Sequence, residues 1–219
     1  MTDAAEAMPE LSNPRAEARR QAILEAAAAV FMEKGFAAAS LSDIVRRSGG
    51  SLSTLYQMFG NKQGLFRAIV ADRCRQITEM FEDAGVDDRP PREALTELGH
   101  RLFGLVMGPE AVPVLRLVVA ESGNGDTAFA EAFFTGGPEN GKARVAEYLA
   151  GQARRGLLAL DDPREASEQF CSLVLGKHHV RALCGLPHGL DEAGLAAHIA
   201  RQVDAFLKIY GRPGACPGA

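Results

Sequence analysis

The sequence predicts an all-α protein with two parts, a three-helix head near the amino terminus and a longer helical body. Apolar residues recur at helical spacing along most of the chain, as Leu55, Met58 and Phe59 do at i, i+3 and i+4. Serine, asparagine or aspartate precedes several of these segments, and glycine or proline separates them, which is typical of helix ends. No stretch shows the alternation of a convincing strand, and the chain has no internal repeat.

The first predicted helix begins at Asn13-Pro14, because proline is favoured at the first helical position, and it ends at about Lys34. Gly35 then stops the helix and Phe36 folds back, as in a Schellman terminus. Residues 1–14 are polar and acidic, and we interpret them as a disordered amino-terminal arm.

Residues 40–62, SLSDIVRRSGGSLSTLYQMFGNK, predict two short helices joined by a glycine turn and followed by a longer helix. Ser40 and Asp43 have the spacing of a capping box. Gly49-Gly50 forms a turn that tolerates positive φ, and Ser51 caps the second helix. Gly60 ends that helix, and Asn61 caps the next.

The second short helix has a predominantly polar outer face. Its side chains suit phosphate oxygens and base edges, including the methyl group of thymine. Two helices that meet at a glycine turn, with such a face on the second, are typical of a helix-turn-helix. The face consists of Leu52, Ser53, Thr54, Tyr56 and Gln57.

From about Arg19 to Ile69 the chain resembles, without a gap, the DNA-binding head of the TetR/AcrR transcriptional regulators. The resemblance is specific because several residue types coincide at fixed offsets. One departure is Gly50, where that family usually has an apolar residue. The matching residues are Gly35-Phe36, Ser40, Ile44, Gly49, Ser51, Thr54-Leu55-Tyr56, Phe59, Lys62 and Leu65-Phe66.

The resemblance implies roles for the residues of the motif in binding double-stranded DNA. Residues expected to hold phosphates and set the register are Ser40, Tyr56 and Lys62, with Arg46 and Arg47 reaching the backbone. Residues expected to face bases are Leu52, Ser53, Thr54 and Gln57, with Ser51 at the start of the same helix. The alternative for Thr54 is that it only caps or packs.

Charge is divided unevenly along the chain. The whole sequence has a formal net charge of −4. Residues 15–75 carry ten basic and five acidic side chains, whereas residues 76–219 carry 14 basic and 20 acidic ones. A basic head on an acidic body favours a polyanion as the partner of one end only.

The remaining segments predict a helical body over residues 76–211 and a disordered tail over 212–219, with the head domain spanning 15–75. Asn61 opens a long helix that passes from the head into the body. A break follows at residues 83–91. Further helices are predicted at 92–107, 109–122, 127–134, from 138 to about 155, 162–183 and 191–210.

Part of the body is similar to the C-terminal domain of AefR-like members of the family. The similarity runs from Glu121-Ser122 through Phe133, Gly137-Pro138 and Gly156 to Asp162-Pro163 and Phe170. It implies a homodimer in which the last two helices meet a second subunit. The alternative is that their apolar stripe is core within one chain. The expected interface residues are Leu173, Val174, Ile199, Val203, Phe206, Leu207 and Tyr210.

The resemblance also implies a cavity for a small effector, and the scarcity of charge on the helix faces concerned indicates a mainly apolar or aromatic molecule. Helices that bound such cavities in related regulators carry Phe103, Met107, Phe129, Phe133, Phe134 and Phe170, and the polar anchor is expected to be Arg116 or His178. The alternative is that these side chains are ordinary core.

Several classes of function are excluded or disfavoured. No 18-residue apolar run predicts a membrane span, and no secretory signal is present, so the expected location is the cytoplasm. We expect that the chain binds no cofactor or metal and has no enzymatic activity, because no paired carboxylates, nucleophile elbow or phosphate loop is found.

The predicted function is that of a DNA-binding transcriptional regulator. By the family's common mode it is a repressor, and its effector releases it from a palindromic operator. The alternatives are a ligand-independent DNA-binding protein and an enzyme fused to a DNA-binding head.

Overall fold

The computed structural model describes residues 14–82, 88–109, 111–123 and 127–212, without the side chains of residues 73–74, 76–82, 128–129, 132 and 136. In this part of the chain the backbone forms ten α-helices, and the only β-structure is an isolated bridge between Leu158 and Gly211. The predicted all-α fold is confirmed. Most of the predicted arm, the tail after Arg212 and residues 83–87 of the predicted break lie outside the described residues.

The chain divides into two compact units, Met1–Ile69 and Val70–Ala219. The division falls between residues 69 and 70, within a single helix. The predicted domain boundary between residues 75 and 76 lies six residues further along the same helix and stays a prediction. The helices of the first unit are α1 (Pro14–Ala38), α2 (Leu41–Ser48), α3 (Leu52–Phe59) and the start of α4 (Lys62–Glu82).

The core of the first unit is built on three phenylalanine rings. The break in α1 at Gly35, where φ is 76°, lets Phe36 return to the unit's interior, as the sequence predicts. The rings of Phe31, Phe36 and Phe66 have centroids 5.1–6.3 Å apart. Aliphatic side chains from all four helices fill the rest of this core, namely Ile23, Leu24, Val30, Ile44, Leu55, Leu65 and Ile69.

The second unit contains the remainder of α4 and six further helices. Each helix that the sequence predicts for this region is present. Aspartates at positions 162 and 191 cap the last two helices, as their placement before the apolar segments indicates. The helices are α5 (Pro91–Val106), α6 (Ala111–Ser122), α7 (Ala128–Gly136), α8 (Pro138–Arg154), α9 (Pro163–Leu183) and α10 (Glu192–Tyr210).

Among the described residues, no single helix is long and apolar enough to cross a membrane. The pair α5 and α6, bent by 60°, reaches the required length and composition only when the two helices are taken together.

The apolar stripe of α9 and α10 lies inside the second unit, where α5, α8, α9 and α10 meet. Val174, Ile199, Val203 and Phe206 are each 0% exposed in a single chain. These four side chains form core within one chain, and their assignment to a dimer interface is corrected accordingly. That α9 and α10 meet a second subunit stays a prediction. The other three predicted interface residues are half-buried and pack against the same core, namely Leu173, Leu207 and Tyr210.

Candidate nucleic-acid interface and small-molecule cavity

The amino terminus of α2 is fixed by a capping box. The Ser40 hydroxyl accepts from the Asp43 backbone N–H at 3.1 Å and donates to the Asp43 carboxylate at 2.8 Å, while the Ser40 backbone N–H donates to that carboxylate at 3.3 Å. Lys34 and Arg46 lie 2.9 and 2.6 Å from the same carboxylate. Hydrogen bonds from Lys34 and then from Ser40 hold the pKa of Asp43 well below its usual value. The predicted capping box is confirmed, and the Ser40 hydroxyl proton is directed at Asp43 rather than at solvent.

The turn between α2 and α3 depends on two consecutive glycines. Gly49 and Gly50 have φ angles of 74° and 87°, a region that other residues rarely adopt. Ser51 then caps α3 by accepting from the Thr54 backbone N–H at 3.1 Å, and the two hydroxyls lie 2.9 Å apart. The turn and the cap follow the sequence prediction, and the Thr54 side chain takes part in capping, as the alternative for this residue proposed.

Arg19 of α1 holds the turn from outside. Its guanidinium donates to the Ser48 carbonyl at 2.7 Å and to the Gly49 carbonyl. A Cβ atom on Gly50 would lie 2.0 Å from Nη2 of Arg19, whereas a Cβ atom on Gly49 would have its nearest contact at 3.9 Å. Gly50 is a position where the sequence departs from the TetR/AcrR pattern, and it is also the residue of the turn against which Arg19 packs most closely.

The outer face of α3 is exposed as the sequence predicts. Leu52 and Tyr56 are 39% and 53% exposed, and Ser53 and Gln57 are exposed beside them. Leu55, on the opposite side, is 0% exposed and anchors α3 in the core. These side chains are free to meet a second molecule, and their role in DNA binding stays a prediction.

Lys62, which the sequence predicts as a phosphate contact, is hydrogen-bonded within the first unit. The Lys62 ammonium donates to the carbonyls of Phe36, Ala37 and Ala39 at 2.7, 3.2 and 3.0 Å, and it lies 4.4 Å from the centroid of the Phe36 ring. An ammonium has three N–H donors, so this arrangement occupies all of them. The phosphate role predicted for Lys62 stays a prediction, while the structure gives it the role of fixing the corner between α1 and α2.

The two arginines at the end of α2 are exposed, and each has a carboxylate partner. Arg46 pairs with Asp43, and Arg47 pairs with Glu33 of α1. Glu33 is exposed, so its pair with Arg47 is weak and a phosphate could replace that carboxylate at little cost. The Asp43 side chain is only 15% exposed, so this argument does not extend to its pair with Arg46. The predicted backbone contacts of Arg46 and Arg47 stay predictions.

The second unit contains a cavity of about 730 Å³. Its wall is mostly apolar and is formed by Val70 of α4, by residues of α5 to α9 and by residues of the segments that join them. Cavities of this size are typical of small-molecule sites. Phe133 and Phe134, which the sequence proposed as ligand contacts, belong to the wall, and their ring centroids lie 5.6 Å apart.

Most of the other proposed ligand contacts are absent from the described cavity wall. Phe103 and Phe170 are at most 2% exposed and belong to the core of the unit, and Met107 packs against that core from outside. Arg116 donates to the carbonyl of Ala182 near the end of α9. The structure gives these four residues structural contacts, and their predicted ligand contacts stay predictions without support from the described cavity wall. The side chain of Phe129 lies outside the described residues.

His178 is also part of the core rather than the polar anchor of the cavity. It is 5% exposed, its Nδ1 lies 2.7 Å from the His188 carbonyl, and its ring packs against Phe103 and His198. The neighbouring His179, which the sequence reasoning did not select, lines the cavity instead. Among the described residues, no group of three or more histidine, cysteine or acidic side chains is placed to hold a metal ion.

Four residues give the cavity wall its side-chain polarity, Lys142, Cys171, Ser172 and His179. Burial raises the pKa of Cys171 to about 11, so its thiol is protonated near neutral pH and is a poor nucleophile. Burial lowers the pKa of His179, which favours a neutral imidazole. The wall also includes Gly176, where α9 is interrupted by a residue with a φ of 44°.

Two family models match the chain. The model described as "Bacterial regulatory proteins, tetR family" matches residues 23–69. The model described as "AefR-like transcriptional repressor, C-terminal domain" matches residues 93–212, which is more than half of the chain. The first match covers α2, α3 and the capping and turn residues described above.

Curated relatives match this chain over only part of their length, whereas solved structures match it over almost its whole length. The repressor ComR of Escherichia coli (strain K12) is 45% identical over 51 residues, which are 23% of this chain and 24% of ComR. The four curated relatives are covered over only 24–43% of their own lengths. A putative TetR-family regulator from Mesorhizobium loti is 26% identical with a TM-score of 0.82, over 91% of this chain and 100% of that one. The flavonoid-responsive regulator FrrA is 28% identical with a TM-score of 0.74, over 90% and 100%.

We predict that Lys62→Met lowers the free energy of unfolding by about 1–3 kcal/mol, because three carbonyls lose charge-assisted hydrogen bonds. Urea denaturation without DNA measures this change. Arg67→Met, which removes an exposed cation from the same helix, is the control and should change stability by less than about 0.5 kcal/mol. Equal stability of the two variants would show that the carbonyl contacts do not hold the corner.

We predict that Gly50→Ala is more destabilising than Gly49→Ala. Both substitutions place a side chain at positive φ, which costs about 1–2 kcal/mol, but only Gly50→Ala also displaces the guanidinium of Arg19. Combining each substitution with Arg19→Ala tests the cause, since the difference between the two glycine variants should then disappear. A difference that persists without Arg19 would refute the proposed contact.

Proposed function

This chain belongs to the TetR family of bacterial regulatory proteins, and we propose that it is a transcriptional repressor released from its operator by a small molecule. The proposed repressor acts on double-stranded DNA in the cytoplasm. The observation that carries the proposal is the exposed outer face of α3 on a capped and clamped helix-turn-helix.

The residues of the first unit divide into those that build the motif and those that contact DNA. In the proposal, Tyr56 holds a phosphate, and Leu52, Ser53 and Gln57 face base edges in the major groove. Ser51 and Thr54 fix the helix that presents these side chains. Ser40 and Lys62 also fix the motif, and their phosphate contacts would require them to exchange their present hydrogen bonds for the DNA backbone. Arg47 exchanges its exposed partner Glu33 for the DNA backbone, and Arg46 reaches the backbone from beside the less exposed Asp43. The excess of basic side chains in residues 15–75 supports this assignment.

A specific operator requires two copies of α3. One short helix spans too few base pairs, whereas two heads on a two-fold axis reach successive major grooves about 34–36 Å apart. The proposed dimer uses the outward faces of α9 and α10, because their inward faces form the core. Two apolar side chains on these faces support the choice, Val180 at 61% and Ile209 at 63% exposure.

Ligand release is proposed to act through a shift between conformations of the protein. A ligand in the cavity would favour a state in which the two copies of α3 no longer match the groove spacing. Support comes from α4, which is one continuous helix through the division between the two units, and from Val70 of α4, which lines the cavity. The name of the similar FrrA, a flavonoid-responsive regulator, supports control by a small molecule.

We predict different effects for the two kinds of DNA contact. Tyr56→Phe removes a phosphate contact and should weaken binding to operator and unrelated DNA by the same factor, about two- to tenfold. Gln57→Ala removes a base contact and should reduce the ratio of operator to unrelated binding by about fivefold or more. Fluorescence anisotropy at fixed salt measures both, with Gln202→Ala in α10 as the matched control. Identical effects of Tyr56→Phe and Gln57→Ala on every sequence would refute the assigned roles.

We predict that Val180→Asp converts a dimer into monomers, because it places a charge in an apolar contact between subunits. Val119 of α6 is a matched valine with 56% exposure, and Val119→Asp should leave the dimer intact. Light scattering coupled to gel filtration measures the mass, and circular dichroism verifies that both variants are helical. Dimers of unchanged stability in Val180→Asp would exclude this face.

A further inference from the structure

The described wall of the cavity includes a histidine, His179, with a buried ring nitrogen. The Nε2 atom of His179 is shielded from water and has no partner among the described residues. A buried polar atom without a partner is costly and rare in folded proteins. The imidazole can turn about its Cβ–Cγ bond, because that torsion is broad. A turn of the ring that directs Nε2 into the cavity would let a ligand supply the partner that the described residues do not provide.

The charge of the described wall restricts what that partner can be. Lys142 contributes a cation, held by Glu168 at 3.3 Å, and the described wall contains no aspartate or glutamate. A cationic ligand would find no carboxylate and would be repelled by Lys142. A carboxylate ligand would have to leave water for an apolar cavity whose one ammonium already has a partner.

We propose that the cavity binds a mainly apolar aromatic molecule bearing a phenolic hydroxyl, and that this hydroxyl hydrogen-bonds to His179. A hydroxyl both donates and accepts, so it satisfies Nε2 in either neutral tautomer of the imidazole. The edge-to-face ring pair of Phe133 and Phe134 provides an aromatic wall for the body of the ligand. Near neutral pH a phenol is uncharged and therefore enters the cavity without losing a charge to desolvation.

The inference rests on the proposed function, in which a ligand of this cavity controls release from DNA. It assigns that ligand a chemical class and a polar anchor. It is tested by binding in the absence of DNA, so its outcome is independent of whether the protein represses transcription.

The test compares four probes of one size on the full chain, 2-naphthol, 2-methylnaphthalene, 2-naphthoate and 2-naphthylmethylammonium, by calorimetry at pH 7.5. We expect 2-naphthol to bind about five- to tenfold more tightly than 2-methylnaphthalene, as one hydrogen bond provides, and more tightly than either charged probe. His179→Leu should reduce that ratio to about one, and His179→Gln, which keeps a hydrogen-bonding group, should partly restore it. His100→Leu removes a histidine that does not line the cavity and should leave the ratio unchanged.

Three results would overturn the inference. They are no binding of 2-naphthol up to its solubility limit, a ratio unchanged by His179→Leu in a variant of unaltered thermal stability, and tightest binding by the ammonium probe. If the probes bind as expected but DNA affinity does not respond to 2-naphthol, the inference stands and the proposed release mechanism fails.

Discussion

The central constraint on the first unit is the length of α3. A helix of eight residues has too few internal hydrogen bonds to be stable alone, so neighbouring elements must hold it in place. Leu55 provides the buried anchor, Ser51 provides the cap, and Arg19 fixes the glycine turn that leads into the helix. The exposed side chains of α3 are positioned by these contacts and not by the helix itself.

The same unit separates side chains that fix the motif from side chains that are free to bind. Ser40 and Lys62 both carry groups suited to phosphate, yet their donors are directed at Asp43 and at three backbone carbonyls. Tyr56 and Gln57 are exposed on α3. In the proposed function, a surface whose supporting contacts are already formed limits the entropy lost when DNA binds.

Local signals in the sequence were sufficient for much of the fold. The capping box at Ser40, the turn glycines and the Asn61 cap, whose side chain accepts from the Gly64 N–H at 2.7 Å, all act within a few residues. The contact of Arg19 with the turn spans 29 residues and has no local signature, so it was missed. Periodicity indicated that one face of α10 is buried but not what covers it, and Phe206 is accordingly core rather than interface.

The cavity shows a further limit of reasoning from sequence. Phenylalanine at helical spacing marks buried positions, and it does not distinguish core residues such as Phe170 from wall residues such as Phe133. Adjacent histidines differ in the same way, because His178 turns into the core and His179 lines the cavity. The interruption of α9 at Gly176 also has no signature beyond the glycine itself.

Recognition of base edges by α3 is tested most directly by selecting DNA that the full chain binds from a random pool. We predict enrichment of an inverted repeat whose half-sites have centres one helical turn of DNA apart, or a small multiple of it. Recovery of sequences with no common half-site, at an affinity equal to that of the starting pool, would contradict the claim that α3 recognises base edges.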